Sequence, residues 1–403
     1  MQAQFYIRNR ERLIASADVD FIVISANSAL QYSADIAYKF RQESNFWYLT
    51  GLNTPDAVLI IDCGNNRSSL ILPQQNEYQS EWDGQNNEQK LKTISGIDEF
   101  IFKYELNQIL NSKNIKNKKV GYLPQIGDDN GRVEPYGFYA NPARARVKRE
   151  LLELNIDENN LIDMRTDIAR LRQVKQPEEI KAIQKAIDIT AASLNDSRSK
   201  LPEFESEKDL ERYLISRFYA HGGDGEGFDS IIASGKNAAT IHYVDNDALM
   251  QPSDLVLLDV GAKYGGYAAD ISRTWSISRK PSQRQQDIWQ ACVDLQTRAI
   301  ERLKAGVILK EMQLAFEKDA KQTFTQLNCS MQDRPFPHGL SHHLGIDVHD
   351  AGLYHEPLPE DAVITVEPGI YLPDENIGVR VEDNVLITKT GVKNLSAKIP
   401  KLL

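Results

Sequence analysis

The sequence predicts an α/β domain over residues 1–168 followed by an α+β domain over residues 169–403. Three observations lead there. A chain of 403 residues exceeds what one ordinary core holds, so two domains are expected. Up to about residue 165, short apolar runs alternate with turn residues and helix-like stretches. From Pro177 onward the pattern changes to long amphipathic helices interleaved with hairpin-forming strands.

In chain order, residues 8–17 (RNRERLIASA) read as helix and residues 20–26 (DFIVISA) as a short buried strand. YLTG and AVLIIDCG bracket the turn residues Asn53, Thr54 and Pro55, and SLILP gives another strand. The Asn- and Gln-rich stretch 74–89 reads as loop. Residues 103–118 carry helical periodicity with a basic end, and 123–165 is mixed, with DDNGR and NPARAR as punctuation. Pro177 stands at a first-turn position of a long helix, with Glu178 and Glu179 where the helix dipole favours anions, so the domain boundary falls just before it, near residue 170. A helix over 207–219, Gly-rich loops, strand hairpins, a helix pair over 282–303 and 310–327, and further strands complete the chain.

Composition narrows the function. The apolar fraction of 41% and charged fraction of 26% are ordinary for a globular protein. A net charge of −10 argues against a nucleic-acid footprint, which needs clustered Lys and Arg. Cys63, Cys292 and Cys329 form no CxxC pair, so neither a disulfide framework nor a thiolate zinc site is expected. The first 20 residues lack an apolar core of the secretory type, and no apolar run approaches the roughly 18 residues of a membrane span; the expected location is the cytoplasm.

The chemistry concentrates in the second half. All seven histidines lie after residue 220. In DLVLLDVGAKYGGYAADISRTW, Asp259 and Asp270 lie in apolar surroundings either side of KYGG. A hairpin centred between Tyr264 and Gly265 would put them directly opposite, with Cβ atoms about 4.5–5.5 Å apart. In ITVEPGIYLPDENIGVRVEDNVLIT, Glu367 and Glu382 are symmetric about the turn-forming run PDEN. Facing like charges repel, and more so when half-buried, so each pair demands positive charge between its members. Two such pairs beside a histidine cluster (PHGLSHHLGIDVHD) point to a divalent-cation site with mostly oxygen ligands. HExxH is absent, because Gly339 stands where a helical zinc protease carries Glu.

Each residue alone has an ordinary explanation. Asp259 could be a helix cap or turn residue, Glu367 an exposed turn carboxylate, Asp270 with Arg273 a surface ion pair, and His342 a satisfied core histidine. Jointly these fail to explain four carboxylates set pairwise in apolar strands. His221, His343 and His355 read as surface or shell residues, and GGDGEG at 222–227 as a loop, since no Walker Lys-Ser/Thr follows.

DVGAKYGGYAADISRT, HGLSHHLGIDVHD, VEPGIY and GVRVED resemble the pita-bread metallopeptidases, specifically the aminopeptidase P and prolidase family, closest to the bacterial Xaa-Pro aminopeptidases. FRQESNFWYLTGLNTPDAVLII resembles that family's N-terminal domain and LRQVKQPEEI its entry into the catalytic domain. The resemblance implies a pita-bread C-terminal domain holding two divalent ions, Mn²⁺ foremost with Co²⁺ or Zn²⁺ as alternatives. Asp270 and Glu382 would bridge them, Asp259 would chelate one, and His342 and Glu367 would hold the other. It implies catalytic or substrate-binding roles for His242, His338 and His349, with Glu367 as general base and Arg380 and Tyr354 as active-site supports. Asp35, Trp82 and Arg172 match more weakly as outer-site or intersubunit residues. The implied substrate is a proline-containing peptide, and the implied assembly a homodimer or homotetramer. The sequence departs from the bacterial pattern at His343, where an aromatic such as Trp is usual. It also departs in the short segments between Tyr354 and Glu367 and between PGIY and GVRVED. These differences bear on substrate length. The expected reaction is release of the N-terminal residue from Xaa-Pro peptides. A dipeptidase restricted to Xaa-Pro is the nearest rival and a non-catalytic binding protein of the same fold a more distant one; creatinase-like and methionine aminopeptidase readings rank lower.

Overall fold

The computed structural model describes residues 1–84, 87–102, 115–124, 142–153, 156–329 and 336–403. Two compact units divide the chain, Met1–Leu171 and Arg172–Leu403. No helix among the described residues is long and apolar enough to cross a membrane.

The first unit is α/β, organised on a mixed six-stranded sheet in the order Glu99–Phe102, Arg67–Leu72, Val58–Asp62, Phe21–Ser25, Val120–Tyr122 and Leu161–Asp163. Phe21–Ser25 is buried at every residue, which explains its unbroken apolar run: it pairs on both sides and is covered on both faces. The helix Ala3–Ser16 lies where RNRERLIASA predicts one.

Three local expectations are corrected. YLT is helical: Ser44–Thr50 is a helix capped by Glu43, whose carboxylate accepts the Phe46 N–H at 2.7 Å, and it ends at Gly51 with φ +70°. The stretch 74–89 holds the helix Glu77–Asp83 and the start of Glu88–Ser95, which Asn87 caps by accepting the Lys90 N–H at 2.9 Å. Such short polar helices carry too little periodicity to be read in advance. NPARAR opens the helix Pro142–Glu153 instead of breaking the chain, with proline at the tolerated first position. Residues 103–114 of the expected basic helix and the DDNGR run lie outside the described residues; Ile115–Asn117 is a single 3₁₀ turn.

The second unit is α+β. It opens with the helix Pro177–Ser199, where the Glu179 carboxylate reaches back to the Gln176 N–H at 2.9 Å. Four antiparallel groups of strands follow, one of them the small sheet of Gly225–Glu226, Ala262–Tyr264 and Tyr267–Ala268. Ile231–Ser234, Leu255–Val260 and Ile271–Ser276 form one sheet; Val363–Val366, Asp383–Ile387 and Val392–Asn394 form another; Gly369–Leu372 and Ile377–Arg380 form a two-stranded ribbon. Gln283–Arg302 and Leu309–Gln326 supply the apolar face that covers them, through Ile288, Cys292, Leu295, Met312 and Phe316 against Val366, Ile370, Val379 and Val381.

The first hairpin differs from expectation in register. Gly265 and Gly266 take the two turn positions at φ +56° and +90°, so Lys263 pairs with Ala268 and Asp259 pairs with Ser272. A two-residue turn with both φ values positive wants glycine at both places, and this shifts the centre of symmetry by one residue. The pairing partner of Asp259 moves by two, from Asp270 to Ser272. Because a strand has a period of two, Asp270 stays on the same face and becomes a diagonal neighbour. The second hairpin has the expected register: Val366 pairs with Asp383 and Gly369 with Arg380, so the ladder on both sides brings Glu367 and Glu382 face to face.

Gly261 allows the first hairpin to close. A Cβ there would lie 1.8 Å from the Ala269 carbonyl oxygen. Gly261→Ala is expected to destabilise the protein by about 1–3 kcal/mol, the usual cost of forcing a methyl into packed structure. A urea midpoint equal to that of the unsubstituted protein would refute this.

Candidate metal centre

Five side chains converge from the two hairpins and the intervening loop. Asp259 is the penultimate residue of the Leu255–Val260 strand, Asp270 immediately precedes Ile271–Ser276, and Glu367 and Glu382 flank the ribbon. His342 comes from the loop that the Thr365 N–H holds through the His342 carbonyl at 2.9 Å. His342 Nε2 lies 3.3 Å from both Asp270 Oδ2 and Glu367 Oε1. Asp270, His342 and Glu382 each present a ligand atom within 4.8 Å of the others. Gln296 pins the ribbon's entry and exit together, donating to Val366 O at 2.8 Å and Val381 O at 3.1 Å.

The electrostatics are those of an anionic cage. Burial first, then Asp259, pushes the Asp270 carboxyl well above the usual range. Burial, then Asp270, Asp259 and Glu367, does the same to Glu382. Glu367 is raised to about 7, by burial more than His342 lowers it, with Asp270 adding. Asp259 is the exception. Burial would raise it too, but the Arg380 guanidinium, 2.6 Å away, draws it below its ordinary value. Among the described residues, Asp259 Oδ1, Asp270 Oδ1 and Glu382 Oε1 are buried without a hydrogen-bond partner. Buried carboxylate oxygens are nearly always paired. Orphaned oxygens on three converging carboxylates, with an imidazole beside them, fit divalent cations with oxygen-rich ligation.

Arg380 is fully enclosed and organises one wall. It donates to Asp259 Oδ2 at 2.6 Å, Ser272 Oγ at 3.0 Å and Tyr371 OH at 2.7 Å. Since Arg380 fills the acceptor side of the Tyr371 hydroxyl, that O–H points at His338 Nε2, 2.7 Å away. His338 then carries its proton on Nδ1, which meets Gly339 O at 2.9 Å. Burial, then Arg380, lowers His338 to about 3, so it is neutral at working pH. His349 stands edge-on to His342, with ring centroids 4.4 Å apart, and burial followed by His342 lowers it to about 4. His242 is more open. Partial shielding from solvent and then Arg380 lower it, while Asp259 acts in the opposite sense, so it faces the same group.

Other expected residues fall elsewhere. Arg172, taken as an outer-site or intersubunit residue, is buried at 2% exposure and pairs with Asp350 and, at 2.9 Å, with Asp347. Tyr354 turns its ring edge-on to His343, 5.5 Å between centroids. His343 is fully buried, not at the surface, and its ring lies where a Cβ on Gly352 would be, 2.0 Å away. Asp35 lies in the exposed turn between Gln31–Ser33 and Ile36–Ala37, and Trp82 is 72% exposed; both belong to the first unit, whereas the carboxylate cluster is built wholly from the second.

Sequence reasoning missed several supporting residues. Ser272 donates to Glu382 Oε2 at 2.8 Å, and Asn384 ties the Asp270 backbone from both sides, at 3.2 and 2.6 Å. Ser272 and Asn384 were findable by alternation, each two residues beyond a position already singled out, Asp270 and Glu382, and Tyr371 stands four beyond Glu367. That Asn384 ties down the Asp270 backbone was not readable, because the two meet from strands distant in sequence.

Comparison with known proteins finds relatives over the whole chain. Metallopeptidase family M24 matches residues 181–389, and the aminopeptidase P N-terminal domain matches residues 6–121. The Xaa-Pro aminopeptidase of Escherichia coli (strain K12) is 31% identical over 99% of this chain and 95% of its own length. The zinc-substituted E. coli aminopeptidase P in complex with product superposes with a TM-score of 0.85 at 29% identity, over 100% of this chain and 96% of the other. Proline aminopeptidase P II from Yersinia pestis does so with a TM-score of 0.85 at 28% identity, over 100% and 97%. With its N-terminal domain, its pita-bread second unit and a carboxylate–histidine cluster in that unit, the chain belongs to the aminopeptidase P family of M24 metallopeptidases.

Proposed function

We propose that this protein is an Xaa-Pro aminopeptidase, a metal-dependent hydrolase releasing the N-terminal residue from peptides with proline in second position. The observation that carries it is the convergence of four carboxylates and His342 with three buried oxygens left without protein partners, in a chain so similar along its length to the E. coli Xaa-Pro aminopeptidase. In this reading Asp259, Asp270, His342, Glu367 and Glu382 would hold two divalent ions. Mn²⁺ is the proposed native ion, with Co²⁺ or Zn²⁺ as substitutes, because four carboxylates to one imidazole is an oxygen-rich donor set. Bound there, the ions supply Lewis acidity, which lowers the pKa of water and polarises a carbonyl.

The protein's own groups do the rest. Glu367 takes the proton of the attacking water. His349, neutral above about pH 4, can donate an N–H to the developing oxyanion. His242, the most open of these histidines, meets the substrate on the proline side. His338, locked by Tyr371, borders the proline ring. Arg380 holds Asp259 ionised and Tyr371 oriented. Proline calls for such a site because its nitrogen has no N–H to grip, so the ring must be recognised by shape. The proposed setting is the cytoplasm, where the three free thiols persist, and the proposed assembly is a homodimer or homotetramer, as family likeness suggests.

A chain-length series tests the reading. Metal-loaded protein is expected to release the first residue from Xaa-Pro tripeptides and longer peptides, to stop with chelator and to recover with Mn²⁺. Turnover of the Xaa-Pro dipeptide alone would make it a dipeptidase. Inertness on every length after Mn²⁺ is restored would favour a binding protein.

A further inference from the structure

Glu207 is the first residue of the helix Glu207–Ala220, where carboxylates are normally solvated, yet it is fully buried. Its Oε1 accepts the Ser234 N–H at 2.6 Å, the Ser234 hydroxyl at 2.8 Å and Asn237 Nδ2 at 3.2 Å. Its Oε2 accepts the Tyr243 hydroxyl at 2.9 Å and the Ala248 N–H at 3.0 Å. The Glu207 N–H itself donates to the Ala248 carbonyl at 3.0 Å. These donors lie on both sides of His242 in sequence, and Tyr243 is its direct neighbour.

The segment from Thr240 to Leu249 has no regular strand or helix, and Val244 and Leu249 are exposed at 46% and 69%. Its apolar anchor is the Tyr243 ring, packed against Ile231, Ala233, Ala238 and Leu257. Its polar ties are the Glu207 carboxylate and buried Asn246, which donates to Ser230 O at 2.8 Å and accepts from Ile232 N at 2.9 Å. The preceding turn is pressed against the strand that carries Arg380: a Cβ on Gly378 would lie 1.8 Å from the Ala238 carbonyl oxygen. The His242 loop is thus clamped between the Arg380 strand and Glu207.

We propose that Glu207, acting through Tyr243, is a positioning residue that holds His242 at the reacting peptide. This rests on the role given to His242 above. A charge-assisted, fully buried hub of this kind is strong and geometrically specific. Misplacing a catalytic group by about 1 Å costs on the order of 10²-fold in rate.

The test uses the full-length, metal-loaded protein and an Xaa-Pro tripeptide. Tyr243→Phe removes one hydroxyl and keeps the ring, so it spares the fold; Glu207→Gln keeps the volume and removes the charge. Expected losses in kcat/KM are about 10-fold for Tyr243→Phe and about 10- to 100-fold for Glu207→Gln, the range typical of outer hydrogen-bond partners. Metal content stays unchanged in both. In a His242→Ala background, Tyr243→Phe is expected to add nothing further to the loss, although each substitution still lowers Tm on its own. Full additivity in kcat/KM, or unchanged kcat/KM in Tyr243→Phe, overturns the proposal. Full activity in His242→Ala alone removes His242 from the reaction, a failure of the underlying reading that is visible before any Glu207 variant is made.

Discussion

Glu382→Ala is expected to lower kcat by at least about 10³-fold and to strip the protein of bound divalent metal. Glu382 is 1% exposed. Its Oε2 is engaged by Ser272, while its Oε1 has no protein partner. Losing the Lewis-acid contribution removes several kcal/mol of transition-state stabilisation, and each 1.36 kcal/mol is tenfold in rate. Metal analysis alongside kinetics checks this; full activity with two ions still bound would refute the role of Glu382 as a metal ligand. Glu382→Gln offers a second readout that does not depend on activity. In chelator-treated protein the folded Glu382 carboxyl is held well above its usual range by burial and by Asp270. A group raised in this way contributes stability below its unfolded pKa, and that contribution is lost as pH rises toward the folded value. Metal-free wild type therefore weakens as pH climbs above the ordinary carboxylate range. Metal-free Glu382→Gln, with one such group fewer, should have the higher Tm at pH 8. With metal present the order reverses, because binding at 100 times Kd is worth about 2.7 kcal/mol to whichever protein binds.

Asp350→Asn is expected to cost about 3–5 kcal/mol, the usual penalty for removing one partner from a buried ion cluster. Asp350 and its partners Arg172 and Lys175 have side chains only 1–3% exposed. Arg172 Nη2 donates to Asp350 Oδ1, and Lys175 Nζ to Oδ2 at 2.7 Å. Gly345 makes room, since a Cβ there would collide with the Asp350 carboxylate. The asparagine would take the charged partner from buried Lys175 and one of the two carboxylates from Arg172, which keeps Asp347. In a unit of this size, Tm should fall by roughly 6–20 °C. The site would feel it too: the Asp350 N–H donates to His343 O at 2.8 Å, and that carbonyl also meets His342 Nδ1 at 3.1 Å. A pH signature accompanies the loss. Burial would raise Asp350, but Arg172 and Lys175 outweigh it and draw it down to about 2. A depressed carboxyl gives stability that is complete above its unfolded pKa near 4 and is lost as pH falls through the folded value. The stability gap between wild type and Asp350→Asn should therefore narrow as pH falls from about 4 to about 2. A gap as wide at pH 2 as at pH 7, or a Tm within 2 °C of wild type at pH 7, would refute the role of the cluster.

Some of this was legible before any coordinates. The long helices announced themselves through period and caps, Pro177–Ser199 most clearly. The Glu367–Glu382 pair was readable because its turn, PDEN, lies at the centre of symmetry. The first pair was read on the correct face but with the wrong partner, because which of two glycines opens a turn is settled by backbone dihedrals, not by composition. The short polar helices of the first unit gave too little periodicity to be seen.

By itself, then, the sequence determined the candidate centre: two carboxylate pairs in apolar strands call for positive charge, and His342 comes from the one segment dense in histidines. Only tertiary structure decided what holds that centre in place. Arg172 and Asp350 lie far apart in the chain and meet in the interior; Glu207 meets Tyr243 across an irregular loop; Tyr371 spans Arg380 and His338. Local patterning records which face a residue occupies, because each strand or helix has a fixed period. It does not record which distant donor satisfies a buried charge, since that is fixed only when separate elements pack together.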